Sequence, residues 1–240
     1  WHPVVRIIAA CFLFVLVSSA GAATRNYTLY ITAGTLTING GGGATMAAWG
    51  YTEVAGTPKF PGPTLTANEG DTVNVTVVNN HNINHNFLIQ GVTTDTTAIA
   101  PGGNRVYSFT ASTAGSYLYY DTLNSSINRE MGLYGMLWVG PADGSAKAWT
   151  NGPSYSFQRL WVVGEMDKPR WNDVAGSGGS VNTSVYKPNY FLINGQGGFD
   201  GMENTATTID GGVGQTALVR IANGGQFAQS LHFHGNHVQV

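Results

Sequence analysis

The chain has 240 residues, of which 42% are hydrophobic and only 10% are charged. Eleven lysines and arginines stand against thirteen aspartates and glutamates, so the formal net charge is −2 and there is no basic block of the kind that binds nucleic acid. The 33 glycines suit many short strands joined by turns and argue against a helical bundle. The composition predicts an all-β protein large enough for one or two domains.

Residues 1–23 are predicted to be a secretory signal peptide. Arg6 precedes an apolar run over residues 7–17, and small residues follow up to Ala20-Gly21-Ala22, which is typical of a cleavage site. The alternative is a membrane anchor, but an anchor requires about 20 apolar residues. We therefore expect a secreted or periplasmic protein with no stable membrane insertion after cleavage.

Cys11 is the only cysteine of the chain and lies within this segment. Its removal would leave the mature protein, over the residues shown, with no disulfide, no thiolate nucleophile and no cysteine ligand for a metal.

Residues 24–143 are predicted to form a first β-sandwich domain. Short β-rich runs recur between clusters of Gly, Pro and Asn, and the run DTVNVTVVN alternates valine with polar residues, as a half-buried strand does. Two rigid turns, Pro61-Gly62-Pro63 and Glu69-Gly70-Asp71, lead into strands. The predicted strands are YTLYIT, TLTAN, TVNVTVVN, NRVYSFTA, GSYLYYDT and YGMLWVG.

Residues 144–154 are predicted to be a linker because they are rich in Gly, Pro, Ser and Ala. A second set of β-rich runs, YSFQRLWVVGEMD, YFLING and TALVRIANGG, follows within residues 155–240. No helical periodicity of ten residues or more is present. We expect a second β-sandwich domain, cut short at its end.

Three of the six histidines, His232, His234 and His237, lie close together near the end of the chain. In a strand, residues i and i+2 share a face with Cα atoms about 6.5–7 Å apart, so His232 and His234 can reach one metal. A bend at Gly235-Asn236 would turn His237 to the same side. Imidazole nitrogens suit copper or zinc, so the sequence predicts a metal site. The alternative is a solvent-facing strand end rich in histidine.

The stretch AWGYTEVAGTPKFPGPTLTANEGDTVNVTVVNN, residues 48–80, resembles the opening of the first cupredoxin domain of multicopper oxidases and copper nitrite reductases. GSYLYYDT and MGLYGMLWVGP resemble the end of that domain, and LVRIANGG with SLHFHGNHVQV resembles the middle of a later one. The resemblance implies two Greek-key β-sandwich (cupredoxin-like) domains and copper as the cofactor.

The resemblance implies two alternative uses of the histidines. In the laccase-like branch, His232 and His234 would be the two histidines of an H-x-H-G element that binds a trinuclear copper cluster, although the family's histidine three residues earlier is Gln229 here. In the nitrite reductase branch, His237 would contribute to a copper between subunits, and a homotrimer is implied.

The same resemblance places one candidate ligand in the first domain, at His85, and puts Gln90 where a second ligand is expected. An electron-transfer site would have histidine at Tyr120 and cysteine at Asp121, and neither is present. Met131 falls in the region of the family's axial methionine. We therefore expect a degenerate copper site at this position.

The implied function is that of the copper-binding portion of a secreted multicopper-oxidase-like oxidoreductase. A small-molecule electron donor would supply single electrons, which pass through copper to oxygen or nitrite. Because the family's cysteine-containing ligand element lies at the end of its last domain, we expect the chain to be a fragment lacking it. The alternative, favoured by the missing ligands in the first domain, is a non-catalytic cupredoxin-like copper-binding or scaffold protein. We expect no nucleic-acid partner.

Overall fold

The computed structural model describes residues 21–38, 42–180, 185–233 and 238–240. Within these residues strands dominate, and only three short α-helices and one 3-10 turn interrupt them, so the all-β prediction is confirmed. Most of the predicted signal peptide, with Cys11, lies outside the described residues, as do His234 and His237. No helix within the described residues is long and apolar enough to cross a membrane.

Residues 24–140 form two four-stranded sheets that pack face to face. The first sheet has the order β2-β1-β4-β6, and the second has the order β3-β8-β7-β5. The strands are β1 (Thr24–Thr37), β2 (Thr45–Thr52), β3 (Leu65–Asn68), β4 (Thr72–Asn79), β5 (Leu88–Ile89), β6 (Asn104–Thr110), β7 (Gly115–Tyr120) and β8 (Tyr134–Gly140).

The core of this sandwich follows from period-2 alternation along the strands. Val73, Val75 and Val77 on β4 are all fully buried, while the residues between them are partly exposed, as the sequence predicts. Side chains of the second sheet, including Leu137 and Tyr119, belong to the same core. Each fully buried side chain of this size contributes about 1.5–3 kcal/mol relative to an exposed one.

The predicted turn between β3 and β4 carries a buried carboxylate that fixes the start of β1. Gly70 has φ +91°, a left-handed conformation that favours glycine. Asp71 accepts hydrogen bonds from Ala23 N at 2.7 Å, from Asn68 N at 3.0 Å and from Arg25 Nε at 2.8 Å. Burial raises the pKa of Asp71, but these hydrogen bonds and the charge of Arg25 outweigh it and hold the pKa below its usual value.

Residues 157–223 form a three-stranded sheet of order β10-β9-β11. Its strands are β9 (Phe157–Met166), β10 (Tyr190–Ile193) and β11 (Ala217–Asn223). The α-helices among the described residues are α1 (Ile127–Glu130), α2 (Lys168–Gly176) and α3 (Gly198–Glu203), and a 3-10 turn over Asn124–Ser126 precedes α1. The sequence did not predict α2, because its nine residues fall below the length at which helical periodicity is distinctive. Its start is nonetheless marked by Asp167, whose side chain accepts a hydrogen bond from Arg170 N.

Helix α2 joins the two sheet systems into a single core. Trp171 is fully buried, and its ring centroid lies 5.8 Å from that of Phe60, which lies between β2 and β3. Beside it, Arg170 makes a two-pronged ion pair with Glu130 of α1, in which Nη2 lies 3.0 Å from Oε2. The contacts of α2 therefore reach from the second region of the chain into the first.

The predicted linker, residues 144–154, folds back on itself. Ala148 N donates to Pro153 O at 2.9 Å, and Lys147 pairs with Ser154 in an isolated bridge. Arg220 of β11 donates to Ala148 O at 2.7 Å, which holds this segment against the second region. The division into domains of residues 24–143 and 155–240 stays a prediction.

Candidate metal centre

The first candidate site lies at the end of β4, where the chain turns toward β5. His85 is fully buried there, and its backbone is fixed by an isolated bridge to Ile99, with N–O distances of 3.2 and 2.6 Å. The side chain of Asn79 at the end of β4 donates to Ile83 O and Ile99 O, each at 2.8 Å. These bonds hold the His85 ring against the end of β7.

Asp121, which follows β7, contacts His85. We call the site formed by His85, Asp121 and the residues around them the first-domain corner. The His85 Nδ1 to Asp121 Oδ2 distance is 2.7 Å, and both side chains are fully buried. Asp121 also accepts hydrogen bonds from Leu123 N at 2.8 Å and from Asn86 N at 3.3 Å. A buried carboxylate is stable only when such donors replace the water it has lost.

Two asparagines complete the surroundings of this pair. Asn128 of α1 places its Nδ2 3.0 Å from Asp121 Oδ2 and 3.2 Å from His85 Nδ1. Asn86 Nδ2 donates to Thr122 Oγ1, and Asn86 Oδ1 accepts from the backbone N of Thr122, each at 2.8 Å. The corner is therefore filled by hydrogen-bonding groups from three segments of the chain.

His81 extends the corner toward solvent. Its Nδ1 lies 2.8 Å from His85 Nε2, and its ring centroid lies 4.7 Å from that of Trp49. Burial, and secondarily the neighbouring His85, lower the pKa of His81 from 6.5 to about 4. His81 is therefore neutral at physiological pH.

A strained turn leads into α1, which carries Asn128. The residues Asn124, Ser125 and Ser126 all have left-handed backbone angles, with φ of 56°, 50° and 71°. Such conformations cost roughly 1–3 kcal/mol each for non-glycine residues and persist only where their surroundings enforce them. Asn124 Nδ2 donates to Gly179 O at 2.9 Å, which ties this turn to the loop after α2.

The corner does not offer a copper ion a set of free ligands. Both ring nitrogens of His85 are engaged in hydrogen bonds, and the described residues contain no group of three His, Cys, Asp or Glu side chains that could hold a metal. Met131 is fully buried within the hydrophobic core. His85 as a copper ligand stays a prediction, and the groups present do not fit copper without rearrangement.

Tyr120, the position where the family pattern would have a histidine, has a different environment from Asp121. Its ring lies beneath the guanidinium of Arg129 at 5.5 Å and is partly exposed, whereas the next residue is fully buried beside His85. Consecutive residues of a strand point to opposite faces, so a side chain at 120 does not enter the corner. Gln90 is exposed, and its backbone N donates to Leu118 O at 2.9 Å.

The second candidate site is the histidine segment near the end of the chain. His232 is exposed, whereas His234 and His237 lie outside the described residues, so the predicted convergence of the three imidazoles stays a prediction. No strand is assigned at His232. The neighbouring Phe233 ring stacks on Trp161 of β9 at a centroid distance of 5.9 Å.

A buried carboxylate on β9 holds the segment that precedes these histidines. Glu165 is 1% exposed and accepts hydrogen bonds from Gln226 N at 2.6 Å, Phe227 N at 2.9 Å and Gln229 Nε2 at 2.9 Å. Gln229 is the position at which the laccase-like pattern has a further histidine. In this chain, that side chain is bound to Glu165.

Sequence reasoning missed His81, Asn128 and Glu165. The one local signal for His81 was its spacing from the second histidine, His81-x-x-x-His85. The contacts of Asn128 with Asp121 and of Glu165 with Gln226 depend on tertiary structure. A lone Asn or Glu in an apolar context has no pattern that distinguishes it from a surface residue.

Known proteins share sequence features with this chain. Residues 42–144 match the multicopper oxidase family model. L-ascorbate oxidase from Cucurbita maxima is 30% identical over 165 residues, which cover 59% of this chain and 26% of that protein. Copper-containing nitrite reductase from Alcaligenes xylosoxydans xylosoxydans is 30% identical over 116 residues, which cover 45% of this chain and 34% of that protein. The chain thus spans about a quarter to a third of the length of these relatives.

Solved structures share the fold. A copper nitrite reductase from Nitrosomonas europaea superposes with a TM-score of 0.64 at 23% identity, covering 84% of this chain and 68% of that chain. A blue copper oxidase from the same organism gives a TM-score of 0.63 at 22% identity, covering 84% and 61%. The sandwich geometry is therefore cupredoxin-like, and residues 42–144 are similar to the multicopper oxidase family.

Proposed function

We propose that this chain is the copper-binding portion of a secreted or periplasmic oxidoreductase. The observation that carries the proposal is the match of residues 42–144 to the multicopper oxidase family, joined to a downstream segment with three closely spaced histidines. The relatives named above include an L-ascorbate oxidase and copper-containing nitrite reductases. A small-molecule electron donor and either oxygen or nitrite as acceptor are the corresponding substrates.

His232, His234 and His237 are the residues that would hold copper. Imidazole nitrogen is a preferred copper ligand, and bound copper would supply one-electron chemistry at this segment. The contribution of the chain around it is orientation: Glu165 binds Gln226, Phe227 and Gln229, and so fixes the path of the chain just before His232. If His237 contributes to a copper between subunits, the assembly is a homotrimer.

A second candidate function is a non-catalytic cupredoxin-like protein that binds copper weakly or serves as a scaffold. The corner around His85 favours it, because Asp121 and Asn128 fill the space with hydrogen bonds and leave both nitrogens of His85 engaged. The two candidates differ in whether copper bound at the histidine segment exchanges electrons with a donor.

Copper stoichiometry tests the assignment of the ligands. The chain of residues 23–240 is expected to bind at most about one Cu(II). It contains no cysteine, so imidazoles are its only strong copper ligands, and replacing both His232 and His234 with alanine should abolish the binding. Elemental analysis after exhaustive dialysis measures the bound copper.

The variant His81→Gln is the matched control for histidine removal, and it should retain the full copper content of the parent. An unchanged copper content in the His232→Ala/His234→Ala variant would contradict the ligand assignment. Copper loss on His81→Gln alone would place the site at the first-domain corner instead.

A further inference from the structure

We infer that the first-domain corner holds a directional hydrogen-bond relay, from His81 through His85 to Asp121, in place of a metal ion. The relay ends in a lone pair on His81 Nε2 that can accept a hydroxyl or ammonium donor from a small molecule. This inference goes beyond the proposed function and does not depend on copper binding elsewhere in the chain.

The direction of the relay is set at Asp121. Its Oδ1 accepts from Leu123 N, and its Oδ2 accepts from Asn128 Nδ2 and Asn86 N. Every one of these contacts brings an N–H group to Asp121, so its two oxygens act as acceptors. The proton in the 2.7 Å contact between His85 Nδ1 and Asp121 Oδ2 therefore lies on the imidazole.

Asn128 does not reverse this assignment. Its Nδ2 carries two hydrogens, which point to Asp121 Oδ2 at 3.0 Å and to Asn84 O at 3.4 Å. The 3.2 Å approach of the same Nδ2 to His85 Nδ1 is then a contact between two donors rather than a hydrogen bond.

With His85 as a neutral imidazole, the proton on Nδ1 fixes the direction of the remaining hydrogen bond. A neutral imidazole with its proton on Nδ1 has a lone pair on Nε2, and this lone pair faces His81 Nδ1 at 2.8 Å. His81 must therefore donate from Nδ1, which leaves the lone pair of His81 on Nε2. One carboxylate thus determines the tautomers of two successive imidazoles, just as a buried aspartate orients a catalytic histidine.

His81 Nε2 is the open end of the relay. No hydrogen bond within the described residues involves this nitrogen. It is not one of the side-chain atoms that are both buried and unpaired, so it is in contact with solvent. His81 itself is only half buried, so the lone pair is accessible from outside. A ligand that presents a hydroxyl or ammonium hydrogen matches this acceptor, whereas a carboxylate or phosphate oxygen does not.

Long-range ¹H–¹⁵N spectra of histidine-labelled, metal-free protein test the relay directly, and His81→Gln assigns the signals. Both His81 and His85 are expected to show a pyrrole-like Nδ1 and a pyridine-like Nε2. Two pyrrole-like nitrogens on His85, or a pyrrole-like Nε2 on His81, would overturn the inference. This result is read from the parent protein and needs no variant to fold.

Two further readouts separate the relay from ordinary packing. Asp121→Asn should move the His85 Nδ1 proton upfield, since its hydrogen bond is no longer charge-assisted, whereas His81→Gln should leave that proton downfield. An unmoved proton in Asp121→Asn would contradict the relay. Zn²⁺ added to the His232→Ala/His234→Ala/His237→Ala variant should leave the His85 resonances in place, and a saturable shift of these resonances would show that the corner binds metal.

Discussion

Replacing Trp171 with alanine is expected to lower the free energy of unfolding by about 3–5 kcal/mol. Its ring is fully buried and contacts Phe60, while helix α2 packs on β2, so the cavity would open between the two regions of the chain. Trp171 Nε1 has no hydrogen-bond partner among the described residues, and the loss is therefore one of apolar packing. Chemical denaturation followed by circular dichroism measures the change.

Trp149→Ala provides the matched control, because this tryptophan is 55% exposed. Its replacement should change the free energy of unfolding by no more than about 0.5 kcal/mol. If Trp171→Ala were equally mild, α2 would not join the two regions, and the shared core described above would be wrong.

The second large effect is the creation of a blue copper site at the corner. Asp121→Cys with Asn128→His would place a thiolate and a second imidazole beside His85, because the side chains at 121 and 128 now lie 2.7 and 3.2 Å from its Nδ1. Met131, three residues beyond position 128, is fully buried and is the candidate for a weak axial ligand. Two histidines, one cysteine and a long axial methionine are the ligands of blue copper centres. The copper-loaded double variant should gain an intense visible absorption band that the parent lacks.

Three comparisons isolate the cause of this band. The parent should be without it, since the residues after position 23 contain no cysteine. The same double variant in a His85→Ala background should also lack it. Tyr120→Cys with Asn128→His should fail as well, because the side chain at 120 packs under Arg129 on the other face. A blue band in any of these three proteins would refute the geometry of the corner.

Most of the fold could be predicted from the sequence, because its strands alternate or lie between clear turn signals. The valines of β4 and the turn at Gly70 are examples, and both were confirmed. Strand β2 was not singled out, since nearly all of its residues are buried and it shows no alternation. Helix α2 was missed because it is short and is stabilised by packing of Trp171 rather than by an amphipathic repeat.

The candidate site could be predicted only in part. His85 and the absence of a thiolate at Asp121 were visible in the sequence, but the bond between them depends on two segments separated by 36 positions. His81 received no functional interpretation, although it turns out to be the solvent-facing end of the relay. Such contacts arise from tertiary structure, so no local pattern reports them.

Anomalous diffraction at the copper edge, on crystals of the copper-loaded chain, tests the central claim most directly. An anomalous peak is expected between His232, His234 and His237, and none within bonding distance of His85, because its Nδ1 donates to Asp121 and its Nε2 accepts from His81. A peak beside His85 Nδ1 or Nε2, with the histidine segment empty, would contradict it.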